Sequence, residues 1–277
     1  MLGIRSLKMI RIENLTKNYG ATMALDNLNL TINDGEIFGL IGHNGAGKST
    51  TIKSLVSILE PTSGQIYFDD LDLKSNRNTI KKMIGYVPDS PDMFLKLPVT
   101  SYWKFIASVF GIDKDLREER IKSLCQIFSL EVKATTRIEE CSHGMRQKVF
   151  LIGALISDPK IWILDEPMTG LDPQSAYNLK ELMKDHAGQG NTVLFSTHVL
   201  EVAEQLCDRI GILSKGRILF LGTMDELKDR HPGQSLEDIY LAMVNHKPQD
   251  TAGRDGASIY NNVIADKVSQ GPEAEEK

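Results

Sequence analysis

A glycine-rich loop carries the clearest chemistry in this sequence. Residues 42–50 read GHNGAGKST, which fits the pattern G-x-x-x-x-G-K-[ST], and the apolar run Ile37–Ile41 before them predicts a buried strand. In such a loop, glycines let backbone N–H groups turn inward and bind phosphate oxygens at the start of a helix. Lys48 adds a positive charge beside the β- and γ-phosphates, and the Ser49 hydroxyl can bind Mg²⁺. The pattern predicts a nucleoside triphosphate site formed by Gly42, Asn44, Gly45, Ala46, Gly47, Lys48, Ser49 and Thr50.

Two adjacent carboxylates form a second candidate. Asp165 and Glu166 follow the apolar run Ile161–Leu164, and ligands of parallel sheets lie at the carboxyl ends of the strands. At that position Asp165 can reach a Mg²⁺ ion and Glu166 can polarise an attacking water. Alone, the pair could equally well be two surface acids at a strand end. Beside the glycine loop, the catalytic interpretation is favoured.

The elements that must position these residues alternate between strands and helices. The first two strand candidates, Met9–Leu15 and Asn27–Ile32, have the period of two that predicts half-buried antiparallel strands. Further strands are predicted at 37–41, 65–68, 84–87, 161–164, 192–195, 209–213 and 217–221, and helices at 49–59, 100–110, 116–128, 145–157, 173–187, 199–206 and 235–244. The alternation predicts an α/β fold: a P-loop NTPase core with a parallel sheet and an N-terminal antiparallel β subdomain.

The alternation is interrupted once, which defines the predicted domain organisation. Residues from about 88 to 157 read almost entirely as helix, and we interpret them as an inserted all-helical subdomain within an ATP-binding domain at 9–230. A C-terminal helix is predicted at 231–246. Residues 1–8 read as an N-terminal extension, and the polar, glycine-containing stretch 247–277 predicts a disordered tail.

Composition limits the class of protein. The 277 residues are 41% hydrophobic and 25% charged, with a net charge of −5 and three cysteines that form no C-x-x-C pair. These values exclude global disorder and argue against a disulfide framework, a zinc site or a surface that binds nucleic acid throughout. The N-terminus lacks the features of a signal peptide, and no apolar run approaches the roughly 18 residues of a membrane span. We expect a protein of the reducing cytosol that needs a partner to act at a membrane.

The segment CSHGMRQK, residues 141–148, specifies the class further. It resembles the signature of the ATP-binding subunit of ABC transporters, L-S-G-G-Q followed by R-Q-R/K, and it lies before the carboxylate pair as in that family. The resemblance implies that Ser142 and Gly144 bind the γ-phosphate of an ATP held by another subunit. It runs from about residue 9 to residue 244.

Three further motifs follow in the family's order. Tyr19 resembles the aromatic residue that stacks on adenine, although it could be an ordinary tyrosine at a strand edge. His198, in Ser-Thr-His, resembles the switch histidine that contacts the γ-phosphate, although a lone histidine is more often a core residue. Asp172, in Thr-Gly-Leu-Asp, resembles the D-loop that crosses to the other subunit, and before Pro173 it could also cap a helix.

Two departures from the family pattern are present. Asp89 occupies the place of a glutamine that helps to bind Mg²⁺ and relays the nucleotide state to the membrane partner. A carboxylate can also bind Mg²⁺, but its added negative charge predicts altered coupling or hydrolysis. Cys141, His143 and Met145 replace Leu, Gly and Gln of the signature. This looser form resembles bacterial exporter ATPases of the ABC-2 type.

The resemblance implies a Mg²⁺-dependent ATPase that works as a head-to-tail dimer, with itself or with a close relative. Each ATP would lie between one glycine loop and the partner's signature, with Glu166 and His198 as catalytic residues and Ser49, Asp165 and Asp89 as metal ligands. Hydrolysis would drive a permease in separate chains, from the cytoplasmic face of a bacterial membrane. The permease groove is predicted near residues 88–98, although Tyr102 and Trp103 beside it could equally pack the helical subdomain.

Two alternatives from other classes are considered. A soluble ABC ATPase acting on nucleic acid or the ribosome usually has a long coiled coil or two such domains, and neither is found here. A regulatory module that binds ATP without turnover would fit Asp89 and the loose signature, but not the intact Lys48, Asp165, Glu166 and His198. No nucleic acid is expected as a partner. The exported substrate, such as a drug, peptide or lipid, would be selected by membrane segments of the permease.

Overall fold

The computed structural model describes residues 9–90 and 94–245. The predicted N-terminal extension (1–8) and tail (247–277) lie outside these residues, as do three residues of the predicted permease groove, 91–93. Within the described ranges, no helix is long and apolar enough to cross a membrane.

Ten strands and nine α-helices are described in these ranges. The strands are β1 (Met9–Tyr19), β2 (Thr22–Asn33), β3 (Ile37–Ile41), β4 (Ser63–Phe68), β5 (Leu71–Asp72), β6 (Ile84–Val87), β7 (Ile161–Leu164), β8 (Thr192–Thr197), β9 (Arg209–Ser214) and β10 (Arg217–Gly222). The helices are α1 (Lys48–Leu55), α2 (Arg77–Lys81), α3 (Val99–Val109), α4 (Lys114–Ile127), α5 (His143–Leu155), α6 (Pro173–Gly188), α7 (Leu200–Leu206), α8 (Met224–Asp229) and α9 (Leu236–Asn245). A short 3₁₀ turn covers Ile138–Glu140.

A six-stranded sheet forms the centre of the molecule, in the order β10-β9-β3-β8-β7-β6. Its strands from β9 to β6 run parallel, and only β10 at the edge is antiparallel. Every residue of β3, β7 and β8 is buried, which explains the apolar sequences of β3 and β7 and the apolar centre of β8, 193–195. The order brings the carboxyl ends of β3, β7 and β8 side by side, so the glycine loop and the carboxylate pair share one edge.

A second sheet is antiparallel, in the order β2-β1-β4-β5. Ile10 and Ile12 on β1 are buried and alternate with less buried residues. The period of two in the sequence therefore identifies the face of β1 that packs against the core. Both β1 and β2 are longer than predicted because Gly20, with a φ of 57°, allows a two-residue turn between them. With helices α3–α5 inserted between β6 and β7, the predicted fold class is confirmed.

Some local elements differ from the prediction. Helix α1 ends at Leu55 rather than at residue 59, because Ser57 adopts a φ of 55° and the N–H groups of Ile58 and Leu59 both bond to the Lys53 carbonyl. Helices α2 and α8 were not predicted. Helix α8 begins with a capping box formed by Thr223 and Glu226, a signal that the sequence carried.

Aromatic residues pack the interior of the helical subdomain. Trp103 is 2% exposed and its Nε1 donates to the Val149 carbonyl at 2.9 Å. Tyr102 is 4% exposed, and its ring centroid lies 4.9 Å from that of Phe150. A Cβ on Gly153 would come within 2.6 Å of the Tyr102 ring, so this close approach requires glycine. Of the two interpretations of Tyr102 and Trp103, packing is the one that these contacts support.

Candidate nucleotide-binding site

The glycine loop connects β3 to α1 in a conformation that needs its glycines. Gly45 and Gly47 have φ values of 84° and 113°. A Cβ on Gly47 would also lie 2.8 Å from the Ala24 carbonyl oxygen and 2.9 Å from Leu25. No side chain caps α1 at Gly47. The first-turn amides of this helix therefore face the loop without a capping oxygen, and the helix dipole favours an anion there.

Lys48 lies beneath the loop and is only 5% exposed. Its Nζ donates to the carbonyl oxygens of Gly42 at 2.6 Å and His43 at 3.3 Å. It also forms an ion pair with Glu166 Oε1 at 3.1 Å. A buried ammonium group is thus balanced by one carboxylate and two carbonyls, and it is directed toward the loop by the fold itself.

Asp165 is buried at the end of β7, with 1% of its surface exposed. The Ser196 hydroxyl donates to Asp165 Oδ1 at 2.6 Å, and the Ser49 side chain is a second hydrogen-bond partner. Burial raises the pKa of the Asp165 carboxyl above its usual range, and the charges of Asp89 and Glu166 add to this effect. The two hydroxyls oppose the shift without cancelling it. A cation at this carboxylate would remove the cost of ionising it.

Glu166 adopts a strained backbone conformation, with a φ of 49°. A non-glycine residue in the left-handed region costs about 1–3 kcal/mol and is often found at functional sites. The conformation directs the carboxylate between two side chains: Oε1 faces the Lys48 ammonium, and Oε2 lies 2.9 Å from His198 Nδ1. His198 is exposed at the end of β8, so it is not a core histidine.

Ser196 connects the two carboxylates, a role that the sequence analysis missed. Its hydroxyl donates to Asp165 and accepts the N–H of Glu166 at 2.9 Å. The signal was a serine near the end of the strand adjacent to β7. It could be interpreted only once the β7–β8 pairing, Leu164 opposite Phe195, was known.

Asp89 and Tyr19 are the remaining residues that the sequence predicts for the nucleotide site. Asp89 is exposed after β6, and its negative charge contributes to the raised pKa values of Asp165 and Tyr86. Tyr19 is the last residue of β1 and is 49% exposed, with the Lys17 ammonium 5.4 Å from its ring centroid. Its ring is therefore available for stacking.

The signature residues form a second group with the D-loop segment, which we call the signature face: Ser142, His143, Gly144, Gly170 and Asp172. Ser142 is exposed and caps α5, where its Oγ accepts the Met145 N–H at 3.3 Å. A Cβ on Gly144 would lie 2.5 Å from the Gly170 carbonyl oxygen, and one on Gly170 would lie 2.1 Å from the His143 ring. The two segments are therefore in direct contact.

Asp172 completes the signature face and caps α6. Its carboxylate accepts the N–H of Ser175 at 2.9 Å and the Ser175 hydroxyl at 2.7 Å. It also pairs with Lys148 Nζ, on helix α5, at 2.8 Å. The Lys148 ammonium first and the Ser175 donors second hold the pKa of Asp172 well below its usual range. The capping role considered from the sequence is therefore present in the structure.

The residues at the strand ends suit the chemistry of a metal-bound nucleotide. The Lys48 ammonium and the uncapped first-turn N–H groups of α1 can donate to phosphate oxygens. Ser49, Asp165 and Asp89 offer the oxygen ligands that Mg²⁺ prefers. In residues 9–90 and 94–245, no group of three or more His, Cys, Asp or Glu side chains is placed to hold a metal. Mg²⁺ usually retains waters and substrate phosphates as ligands, so a short protein donor set fits this ion.

The fold and the glycine loop define a P-loop nucleotide-binding protein, and comparison with known proteins specifies it. The sequence pattern of the ABC transporter family matches residues 25–169. The chain is 32% identical over 239 residues to the ABC-type transporter ATP-binding protein EcsA of Bacillus subtilis, covering 86% of this chain and 97% of that protein. It is 34% identical over 238 residues to the Nod factor export ATP-binding protein I of Rhizobium meliloti, covering 86% and 71% of the two chains.

Solved structures agree with this assignment. A structure described as the ATP-binding subunit of an ABC transporter superposes with a TM-score of 0.79 at 32% identity, covering 85% of this chain and 99% of the other. An ATP-binding cassette solved as a dimer in a post-hydrolysis state with ADP and Pi superposes with a TM-score of 0.67 at 26% identity, covering 78% and 98%. The chain belongs to the ABC transporter family, as an ATP-binding subunit. ABC domains of this kind bind ATP.

Proposed function

We propose that this protein hydrolyses ATP to drive a separate membrane permease of exporter type. The observation that carries the proposal is the position of Glu166, strained and directed between Lys48 and His198 beside the glycine loop. A carboxylate held in this way can accept a proton from an attacking water. The family membership and the name of the Nod factor export relative support the coupling to export.

The Lys48–Glu166 ion pair indicates how nucleotide binding would prepare the reaction. Phosphate oxygens would compete for the Lys48 ammonium, which now faces Glu166 Oε1 at 3.1 Å. Glu166 would then keep His198 as its partner and be free to act as general base. Mg²⁺, bound by Ser49, Asp165 and Asp89, would neutralise phosphate charge. Tyr19 would stack on the adenine.

The signature face is the second half of the proposed site. Ser142 and the amides at the start of the 13-residue helix α5 would contact the γ-phosphate held by the other subunit. Asp172 would contribute from the same face while it caps its own helix. Two copies of this chain, or this chain and a close relative, would enclose two ATP molecules, in agreement with the dimer formed by the solved cassette.

The proposed partner is an integral-membrane permease in separate chains, and the proposed location is the cytoplasmic face of a bacterial membrane. The ATP-binding domain would cover 9–230, with the helical subdomain facing the permease. Asp89, in place of the glutamine of the family, would change how the permease stimulates hydrolysis. The exported substrate would be selected by the permease, and we expect no nucleic acid partner.

Capture of the closed complex tests this function. In tagged Glu166→Gln protein we expect hydrolysis to fall by about 100-fold or more while ATP binding is retained. ATP should then retain the dimer and a polytopic membrane protein in a pull-down from detergent-solubilised cells. Glu181→Gln, on the surface of α6, is the matched control and should behave as the wild type.

Three results would contradict parts of the proposed function. Hydrolysis near the wild-type rate in Glu166→Gln protein would contradict the general-base assignment. Capture of ribosomes or nucleic acid would contradict the permease partner and support a soluble ABC ATPase. Wild-type protein that binds ATP but does not hydrolyse it with its permease would support the regulatory alternative.

A further inference from the structure

The helix that begins with the signature, α5, is hydrogen-bonded to the turn that follows Glu166. Gln147 lies one turn after Gly144 on this helix and is only 2% exposed. Its Nε2 donates to the carbonyl oxygen of Pro167 at 3.2 Å, and Pro167 is itself buried. Because a backbone carbonyl can only accept, the amide nitrogen is the side-chain atom that must face it. The helical subdomain is thus bonded to the residue next to the proposed general base.

The chain between Glu166 and this carbonyl has little conformational freedom. The peptide bond that joins Glu166 to Pro167 is planar, and the proline ring fixes the φ angle of Pro167. Only the ψ angles of Glu166 and Pro167 remain soft between the Glu166 Cα atom and the Pro167 carbonyl oxygen. A hydrogen bond that holds this oxygen therefore restricts the backbone of Glu166.

Glu166 needs such restraint because its backbone is strained. Its φ of 49° is left-handed, whereas a residue before proline favours extended conformations. A strained conformation persists only where several neighbours hold it. The Glu166 N–H donates to Ser196 Oγ at 2.9 Å, and the Glu166 carbonyl accepts the Thr169 N–H at 3.2 Å. Gln147 adds a restraint that comes from the helical subdomain.

We propose that Gln147 is a positioning residue for hydrolysis, which holds the Glu166 carboxylate in place through the Pro167 carbonyl. The proposal rests on the proposed role of Glu166 as general base. In this arrangement α5 serves both parts of the site: its first turn faces the partner's phosphate, and its second turn orients the base of its own chain. Because Gln147 is buried away from the glycine loop's ligands, it should affect the rate of hydrolysis and not the binding of ATP.

Removal of the amide donor tests the proposal. Gln147→Met keeps the length of the side chain and leaves the Pro167 carbonyl without this partner. In the complex with the captured permease we expect kcat to fall about three- to tenfold, the range for loss of one ordinary hydrogen bond. The KM and the dissociation constant for ATP should not change. In the nucleotide-free protein, the Glu166 amide should exchange with solvent faster by a similar factor, measured by NMR.

A double variant separates positioning from a general loss of structure. In the Glu166→Gln background the base is already absent, so Gln147→Met should lower the residual hydrolysis no further. The matched control is Asn178→Leu, which removes another amide that links the helical subdomain to the core. Its Nδ2 donates to the Ile127 carbonyl at 2.5 Å, between α6 and α4. This variant should leave kcat unchanged.

Gln147→Glu provides a rescue experiment. A carboxylate cannot donate to the Pro167 carbonyl, whereas a protonated carboxyl group can. Burial raises the pKa of a carboxyl group, so the kcat of this variant relative to the wild type should rise as the pH is lowered from 8 to 6. The relative kcat of Gln147→Met should stay constant over the same range.

Other results would overturn the inference. Unchanged kcat and Glu166 exchange in Gln147→Met, or an equal further loss of hydrolysis in the Glu166→Gln background, would show that Gln147 does not act through the base. A raised KM with unchanged kcat would assign Gln147 to binding. Wild-type protein that binds ATP without hydrolysing it would contradict the proposed function and the role of Gln147 together. Wild-type hydrolysis with an unchanged Gln147→Met variant contradicts only the role of Gln147.

Discussion

The candidate residues at the strand ends and those on the signature face differ in burial and in what surrounds their polar side chains. At the strand ends, Lys48 and Asp165 are 5% and 1% exposed, and each is surrounded by polar partners from the same chain. On the signature face, Ser142 and His143 are exposed, and the Asp172 side chain retains 51% of its accessible surface. One group is built into the interior, whereas the other is presented at the surface.

This difference in burial indicates a different role for each group. A buried charge is costly unless its partners are fixed in advance, so the strand-end group is organised before any ligand binds. An exposed polar group is already solvated and costs little to maintain without a ligand. The signature face is therefore suited to contact a second molecule, while the strand-end group is suited to retain a ligand of its own.

The largest expected effect is that of Lys48→Ala on ATP affinity. Removal of one partner from a buried charge pair costs about 2–5 kcal/mol, so we expect affinity to fall by about 100-fold or more. Titration with a fluorescent ATP analogue measures this. Lys53→Ala, exposed on the same helix α1, should bind as the wild type. Unchanged binding in Lys48→Ala would refute the phosphate role of Lys48.

The signature face is tested by Ser142→Ala in the Glu166→Gln background. We expect ATP-dependent dimerisation, measured by light scattering, to weaken about tenfold because a hydroxyl donor to the γ-phosphate is lost. Loss of the cap should also cost about 1 kcal/mol of stability. Thr223→Ala removes a comparable cap from α8 and should lower stability without affecting the dimer. Equal dimerisation in both variants would place the signature face outside the interface.

In the nucleotide-free protein, the buried charge of Asp165 should lower the free energy of unfolding. Folding raises the pKa of Asp165 from 3.8, so ionised Asp165 opposes folding above its folded pKa, and this cost disappears as the pH falls toward 3.8. Asp165→Asn should therefore raise the melting temperature of nucleotide-free protein by about 2–4 °C at pH 7. The gain should shrink on acidification.

The control for this measurement is Asp185→Asn, at an exposed position of α6, which should leave the melting temperature unchanged. Differential scanning calorimetry at pH 7 and at pH 5 compares the variants. A lower melting temperature for Asp165→Asn at pH 7 would mean that the Ser196 and Ser49 hydrogen bonds outweigh the burial of the charge.

The smallest expected effect is that of Lys148→Met, which breaks the ion pair between the largely buried Lys148 and the half-exposed Asp172. The Asp172 side chain is 51% exposed, so water can solvate its carboxylate when the pair is lost, and Ser175 still donates to it. Methionine retains the apolar stem of Lys148, whose side chain is only 11% exposed. We expect the melting temperature to change by less than about 2 °C. Lys184→Met, which breaks the pair with Glu181, provides the comparison. A loss of several degrees for Lys148→Met alone would show that the signature face depends on this ion pair.

Much of the fold could be predicted because its signals are local. Continuous apolar runs identified the central strands, and the spacing of glycines identified the loop, since both depend on neighbouring residues. The length of α1 could not be predicted, because Ser57 turns the chain through a left-handed conformation that serine rarely adopts. Helix α2 has five residues, too few for a periodic pattern to reveal.

The sequence by itself determined which chemical groups are present and in what order, since the spacing within each motif is covalent. Only the tertiary structure decided how these groups meet: Ser196 bridging Asp165 and Glu166, and Lys148 pairing with Asp172. These contacts join separate elements through strand pairing and apolar packing. Their residues have no fixed spacing along the chain, so no local pattern encodes them.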